Sequence, residues 1–150
     1  MNNIFRGERV STKEFLERLS KLSDILKRDL LLEPLSFDMV IEAANTLALK
    51  MKPEVLEAYL VHNGMTKWKA QSFIQVTIDG LKREELKKKV FRELGEMPFE
   101  WKTIEVDIEE KDQPYGVLMH IGAGNAIGLS AISVLEGLLS GNINILKLPS

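Results

Sequence analysis

The sequence predicts an α/β fold in two parts: a helical segment over residues 1–97, then a strand–helix–strand unit over residues 98–150. Three observations carry this. Apolar residues recur at three- and four-residue steps through the first two thirds of the chain. After Pro98 the period shortens to two. Beyond that, two short apolar runs flank a glycine-rich loop and an apolar stretch of helical length.

Taken in order, Ser11-Thr12-Lys13-Glu14 has capping-box spacing and opens a helix carrying Phe15, Leu19, Leu22, Leu26 and Leu30. Pro34 separates it from a second helix, capped by Ser36 and expected to bury Met39, Val40, Ala43, Ala44, Leu47 and Met51. Pro53 suits the first turn of a third helix, with Val55, Leu56, Tyr59 and Leu60 inside and Gly64 as its stop. Thr66 caps a fourth, containing Trp68, Phe73 and Ile74, three residues read as core or, alternatively, as one wall of an apolar tunnel. A fifth runs from Leu81 to Leu94 and ends at Gly95. Its charged run, Lys82 to Lys89, mixes both signs and reads as a solvated face.

Trp101 to Glu110 alternates, with Ile104, Val106 and Ile108 against Glu105, Asp107 and Glu109, which predicts one strand with a wet face. Asp112-Gln113-Pro114 is a turn. Tyr115 to Ile121 and Asn142 to Leu148 read as buried strands, and Ala126 to Ser140 as a buried helix stopped by Gly141. The expectation is that the 150 residues are cut from a longer protein, because buried parallel strands need neighbours that little chain remains to supply.

Composition narrows the function classes. Twenty Lys and Arg balance 22 Asp and Glu at a net charge of −2, so nothing points to nucleic acid or an anionic surface as partner. No cysteine is present, which excludes disulfides, thiolate metal sites and a thiol nucleophile within these residues. With only His62 and His120, no histidine-based metal site is expected. His120, inside an apolar run, reads as a hydrogen-bonded core residue. The start lacks a secretory signal, and the most apolar window, Gly116 to Leu139, is broken by glycines, His120, Asn125 and Glu136, so no membrane span is expected. A cytoplasmic protein is the default expectation.

The chemistry concentrates in the last third. Gly122-x-Gly124-x-x-x-Gly128 after a strand and before a helix resembles a dinucleotide fingerprint, with its last interval one residue too long. Glycine lets backbone approach a phosphate, and the helix start offers free amides. The acidic residue that usually holds the ribose is replaced by Lys147. The same loop serves equally as a purely structural turn, and Asn125 equally as a helix N-cap.

Pro114-x-Gly116-Val117, an apolar strand, Asn125, then Gly141-Asn142, another strand and Lys147-Leu148-Pro149-Ser150 resemble the aldehyde dehydrogenase superfamily. Within it, His120-Ile121 leading to Ala123-Gly124-Asn125, with Gly137 to Asn142 and Leu146 to Ser150, is similar to the long-chain acyl-CoA reductase (LuxC-type) family. The resemblance is good from Pro114 to Ser150 and faint from Asn63 to Gly95. It implies that residues 98–150 open a Rossmann-like cofactor domain, incomplete here. It also implies an acyl-CoA substrate, NADPH or NADH as cofactor, no metal, and a homo-oligomer.

Residue by residue, the resemblance implies that Asn125 donates to the developing oxyanion. Lys147 reaches the cofactor ribose, with Ser150 near it, although the family commonly has Lys-Pro-Ser and Leu148 intervenes here. Gly122 and Gly124 belong to the loop beside the cofactor. The catalytic cysteine, the general base and a second cofactor loop are expected outside this chain, so the 150 residues alone are expected to be inactive. Two other functions fit the residues: another relative acting on a free aldehyde or acyl phosphate, and a non-catalytic nucleotide-binding module.

Overall fold

The computed structural model describes residues 3–30, 32, 35–96, 98–122 and 128–149. These form seven helices and three two-stranded sheets, a mixed architecture consistent with α/β. The chain packs as two compact units, Met1–Pro34 and Leu35–Ser150.

The first unit opens with a hairpin that the periodicity did not anticipate. Strands β1 (Asn3–Phe5) and β2 (Glu8–Val10) pair antiparallel across Arg6-Gly7, whose φ angles of 53° and 80° are both left-handed, as a tight primed turn requires. Ser11 then caps α1 (Thr12–Ser20), its hydroxyl accepting the Glu14 N–H at 3.2 Å. The single long helix expected here is two helices. At Lys21 the backbone leaves the helical region, and the Ser20 hydroxyl donates to the Glu17 carbonyl at 2.7 Å, so the chain restarts as α2 (Leu22–Asp29). The Arg6 guanidinium pairs with Asp29 and holds its carboxyl below the usual range.

The second unit begins at α3 (Phe37–Lys50), capped by Ser36, whose hydroxyl accepts the Met39 N–H at 3.3 Å. Helix α4 (Pro53–His62) starts on its proline, α5 is Lys67–Gly80, and α6 (Arg83–Leu94) ends at Gly95 with φ 84°. On α6 the lysine run stays outside as expected, with Lys88 paired to Glu85 at 2.7 Å, while Leu86 and Val90 face inward.

Two cores result. Val40, Ile41 and Ala44 of α3 pack with Leu86 and Val90 of α6 and with Leu139 of a later helix, α7 (Leu129–Leu139). Leu60, Ala70 and Ile74 join α4 to α5. The buried face of α3 is therefore Val40, Ile41, Ala44 and Ala48, whereas Met39 and Leu47, expected inside, are 61% and 55% exposed. Both border an apolar cleft of about 580 Å³ between the two cores. Of the core candidates on α5, Ile74 is buried and Phe73 half-buried, but Trp68 lies 66% exposed and is not core.

Residues 101–110 are a hairpin rather than one strand. β3 (Lys102–Glu105) and β4 (Ile108–Glu110) pair antiparallel, with a bulge between Thr103 and Glu105 and a left-handed Asp107 (φ 66°) at the reversal. Val106, expected on the apolar face, sits in the turn and is 88% exposed. β5 (Val117–Ile121) and β6 (Ile143–Lys147) then pair in parallel, joined through α7. Among the described residues, one face of this pair is covered by a helix. Leu118, His120 and Asn144 face α7, while Met119 and Ile121 on the other side are exposed, where full burial was expected. No helix among the described residues is long and apolar enough to cross a membrane.

Candidate functional site

The site is built at the carboxyl end of the β5–β6 pair, the end at which open α/β sheets collect ligands. Ile121 lies opposite Lys147, and the Gly122 N–H donates to the Lys147 carbonyl at 2.8 Å, extending the ladder one step beyond the strands. At the other end the Ile143 N–H donates to the Gly116 carbonyl, also at 2.8 Å.

Gly122 is glycine for a packing reason. A Cβ there would stand 2.6 Å from Ser130 Oγ and 3.3 Å from both the Lys147 carbonyl and Pro149 Cδ. The first turn of α7 thus rests directly on the strand end. Helix α7 begins at Gly128, which is left-handed (φ 79°) and so close to Phe73 that a Cβ would meet its ring at 3.0 Å. Its carbonyl accepts the N–H groups of Ala131 and Ile132 at 3.1 Å. The positive end of the α7 dipole therefore sits beside Gly122 and the end of β6.

Lys147 is exposed at that end, and among the described residues its ammonium takes part in no ion pair. An exposed cation at a strand end, beside a helix N-terminus, suits an anionic or hydroxyl-rich ligand. Gly122 and Lys147 are thus brought together. Gly124, Asn125 and Ser150 lie outside the described residues.

A polar network underneath went unnoticed in the sequence. His120 bonds through Nδ1 to Ser133 Oγ and through Nε2 to Asn144 Oδ1, each at 2.7 Å. Asn144 Nδ2 donates to the Asn142 carbonyl at 2.7 Å, which identifies Oδ1 as the atom facing His120 and makes Nε2 the donor. Nδ1 faces the Ser133 hydroxyl on the other side of the ring. His120 is the hydrogen-bonded structural histidine that the sequence suggested.

Asn142, 5% exposed, is fully engaged: its Oδ1 accepts the Gly116 N–H at 2.9 Å and its Nδ2 donates to the carbonyl and hydroxyl of Ser140. Gly137 completes the fit, since a Cβ there would fall 2.0 Å from Asn144 Oδ1. The sequence signal was the spacing Gly137…Asn142-x-Asn144, visible but uninterpretable until α7 lay across both strands. Glu136 pairs with Lys89 across α6 and α7.

These features fall within a match to a known family. The family model described as Acyl-CoA reductase (LuxC) covers residues 32–150, most of the chain. No individual curated protein and no solved structure matches it.

Proposed function

The chain belongs to the acyl-CoA reductase (LuxC) family, and on that premise we propose that it supplies the N-terminal part of an enzyme reducing a long-chain acyl thioester to an aldehyde. One observation supports this best: the parallel β5–α7–β6 unit puts Gly122, Lys147 and the N-terminus of α7 at one end. In this reading residues 98–150 open a Rossmann-like domain of the aldehyde dehydrogenase superfamily.

NADPH or NADH, when bound, supplies the hydride. Lys147 holds the cofactor ribose, or the 2′-phosphate of NADPH, with Ser150 nearby, and the backbone of Gly122 and Gly124 lies along the cofactor. The exposure of Lys147, which takes part in no ion pair among the described residues, supports this assignment. Gly122 offers its backbone only, because the space of its missing Cβ belongs to Ser130.

Asn125 donates its side-chain amide to the thioester oxygen as that oxygen becomes negative. A cysteine thiolate from a segment beyond these residues displaces coenzyme A, because this chain contains no cysteine. The exposed apolar residues of the β3–β4 hairpin, Ile104, Val106 and Ile108, support assembly into a homo-oligomer through that ribbon.

The test is the natural full-length protein incubated with a long-chain acyl-CoA and each nicotinamide cofactor. Aldehyde should appear in step with loss of reduced nicotinamide and release of free coenzyme A thiol. Asn125→Ala should lower kcat about a hundred- to a thousand-fold. Absence of aldehyde with both cofactors would overturn the reading.

A further inference from the structure

We infer that the cleft between α3, α4, α5 and α7 is the seat of the acyl chain, with the thioester end at Gly128. This rests on the acyl-CoA reading above and names where the hydrocarbon goes. None of the described residues lining the cleft carries a charge. Among them the side-chain hydroxyls belong to Tyr59 and Thr77, and Thr77 already donates to the Phe73 carbonyl at 2.8 Å. A surface this poor in hydrogen-bonding groups penalises any polar guest and accepts a hydrocarbon.

The volume agrees. At roughly 30 Å³ per methylene-sized group, and with imperfect filling, 580 Å³ takes a chain on the order of a dozen to sixteen carbons. Met39 and Met51 supply side chains that adapt to a flexible tail.

Position ties the cleft to the chemistry. Helix α7 turns Gly128, Ala131, Ile132 and Leu135 toward the cleft, while Ser130 of the same first turn rests on Gly122. Gly128 is also three residues along the chain from Asn125. A tail lying in the cleft therefore ends where α7 begins, at the side of the molecule where Gly122 and Lys147 meet. The left-handed Gly128 has no side chain where the Phe73 ring closes on it, and both line the cleft at that end.

The experiment is a chain-length series. Affinities of the natural full-length protein for acyl-CoAs of increasing length are measured by calorimetry. In parallel, Ala131→Phe and Ala43→Phe narrow the cleft from exposed positions, and Leu47→Ala widens it. Each added methylene should tighten binding about two- to fourfold until the cleft is full. The phenylalanine variants should move that plateau to shorter chains, lowering the ratio of hexadecanoyl-CoA to octanoyl-CoA affinity about tenfold or more; Leu47→Ala should move it to longer ones.

Folded variants with an unchanged profile would overturn the inference. So would affinities of the unaltered protein that do not rise with chain length, which would mean that another segment or a second copy fills the cleft. Aldehyde formation with an unchanged profile sinks the cleft and leaves the reductase reading standing; a shifted profile without aldehyde does the reverse.

Discussion

The seam between α3, α6 and α7 and the cleft between α3, α4, α5 and α7 are made of the same kinds of residue, and they differ in how far they close. On the seam side Ile41 is 1% exposed, packed among Leu86, Val90 and Leu139. On the cleft side of the same helix, Met39, Ala43 and Leu47 recur at four-residue steps and stay open. Hydropathy alone does not distinguish the two faces; the arrival of a facing helix does. An apolar face that is built but not closed has a cost in exposed surface, and a ligand that covers it recovers that cost.

The contrast can be broken most sharply by truncation on each side. Ile41→Ala should cost about 2–5 kcal/mol, because the surrounding seam cannot collapse into the hole. Leu47→Ala, on the open side, should cost under about 1 kcal/mol. Urea midpoints of the two variants decide this, and equal losses would mean that the cleft is packed in solution.

The next effect belongs to the contact of α7 with β6. Gly137→Ala drives a methyl into Asn144 Oδ1 and should cost about 1–3 kcal/mol, with loss of the His120–Asn144 bond. Thermal unfolding measures the loss. Replacing Asn144 by a smaller residue in the same chain should recover part of it, and no recovery would place the strain elsewhere.

Ser36→Ala removes the hydroxyl that accepts the Met39 N–H, at about 1 kcal/mol, and loosens the start of α3 on seam and cleft alike. A shift in melting temperature checks it, and Ser36→Asp should restore most of the loss.

Acid gives the smallest effect. Glu57 on α4 is held below its ordinary range first by the Gln71 amide and then by Lys67, and Asp79 on α5 first by Lys82 and then by Gln75. Their folded values are depressed, so their contribution is present above the unfolded value and disappears as pH falls through the folded one. Both groups are half-buried at the surface and within reach of solvent, so the loss should be slight and smaller still in high salt. Unfolding midpoints followed downward through the carboxylate range, at two ionic strengths, test the sign; a gain in stability on acidification would refute it.

Much of the chain was legible because its signals act locally. Ser11 and Ser36 cap where their side chains reach the third amide onward. Gly64, Gly95 and Gly141 stop their helices by adopting a positive φ that other residues avoid. The parallel pairing of β5 and β6 through α7 followed from two apolar runs separated by a helix.

The misses have physical causes too. The first hairpin has strands of three residues, too short to show a period, and only Arg6-Gly7 marked it. Residues 101–110 kept their alternation but reversed direction at Asp107, which an alternating pattern by itself cannot report. At the strand ends, the motif singled out Gly122 and Lys147, which the fold brings together, but it did not signal the brace of His120, Ser133, Asn142 and Asn144. Its members lie up to 24 residues apart and meet only when helix and strands are stacked.

By itself, then, the sequence determined the caps and stops of several helices and the two apolar strands joined through a helix, because caps and turns are set within a few residues. Only the tertiary structure decided which face of α3 was sealed and which bordered a cleft. It also decided why Gly122 and Gly137 lack a side chain. Burial and close approach depend on what arrives from elsewhere in the chain, and that is a property of packing rather than of any one segment.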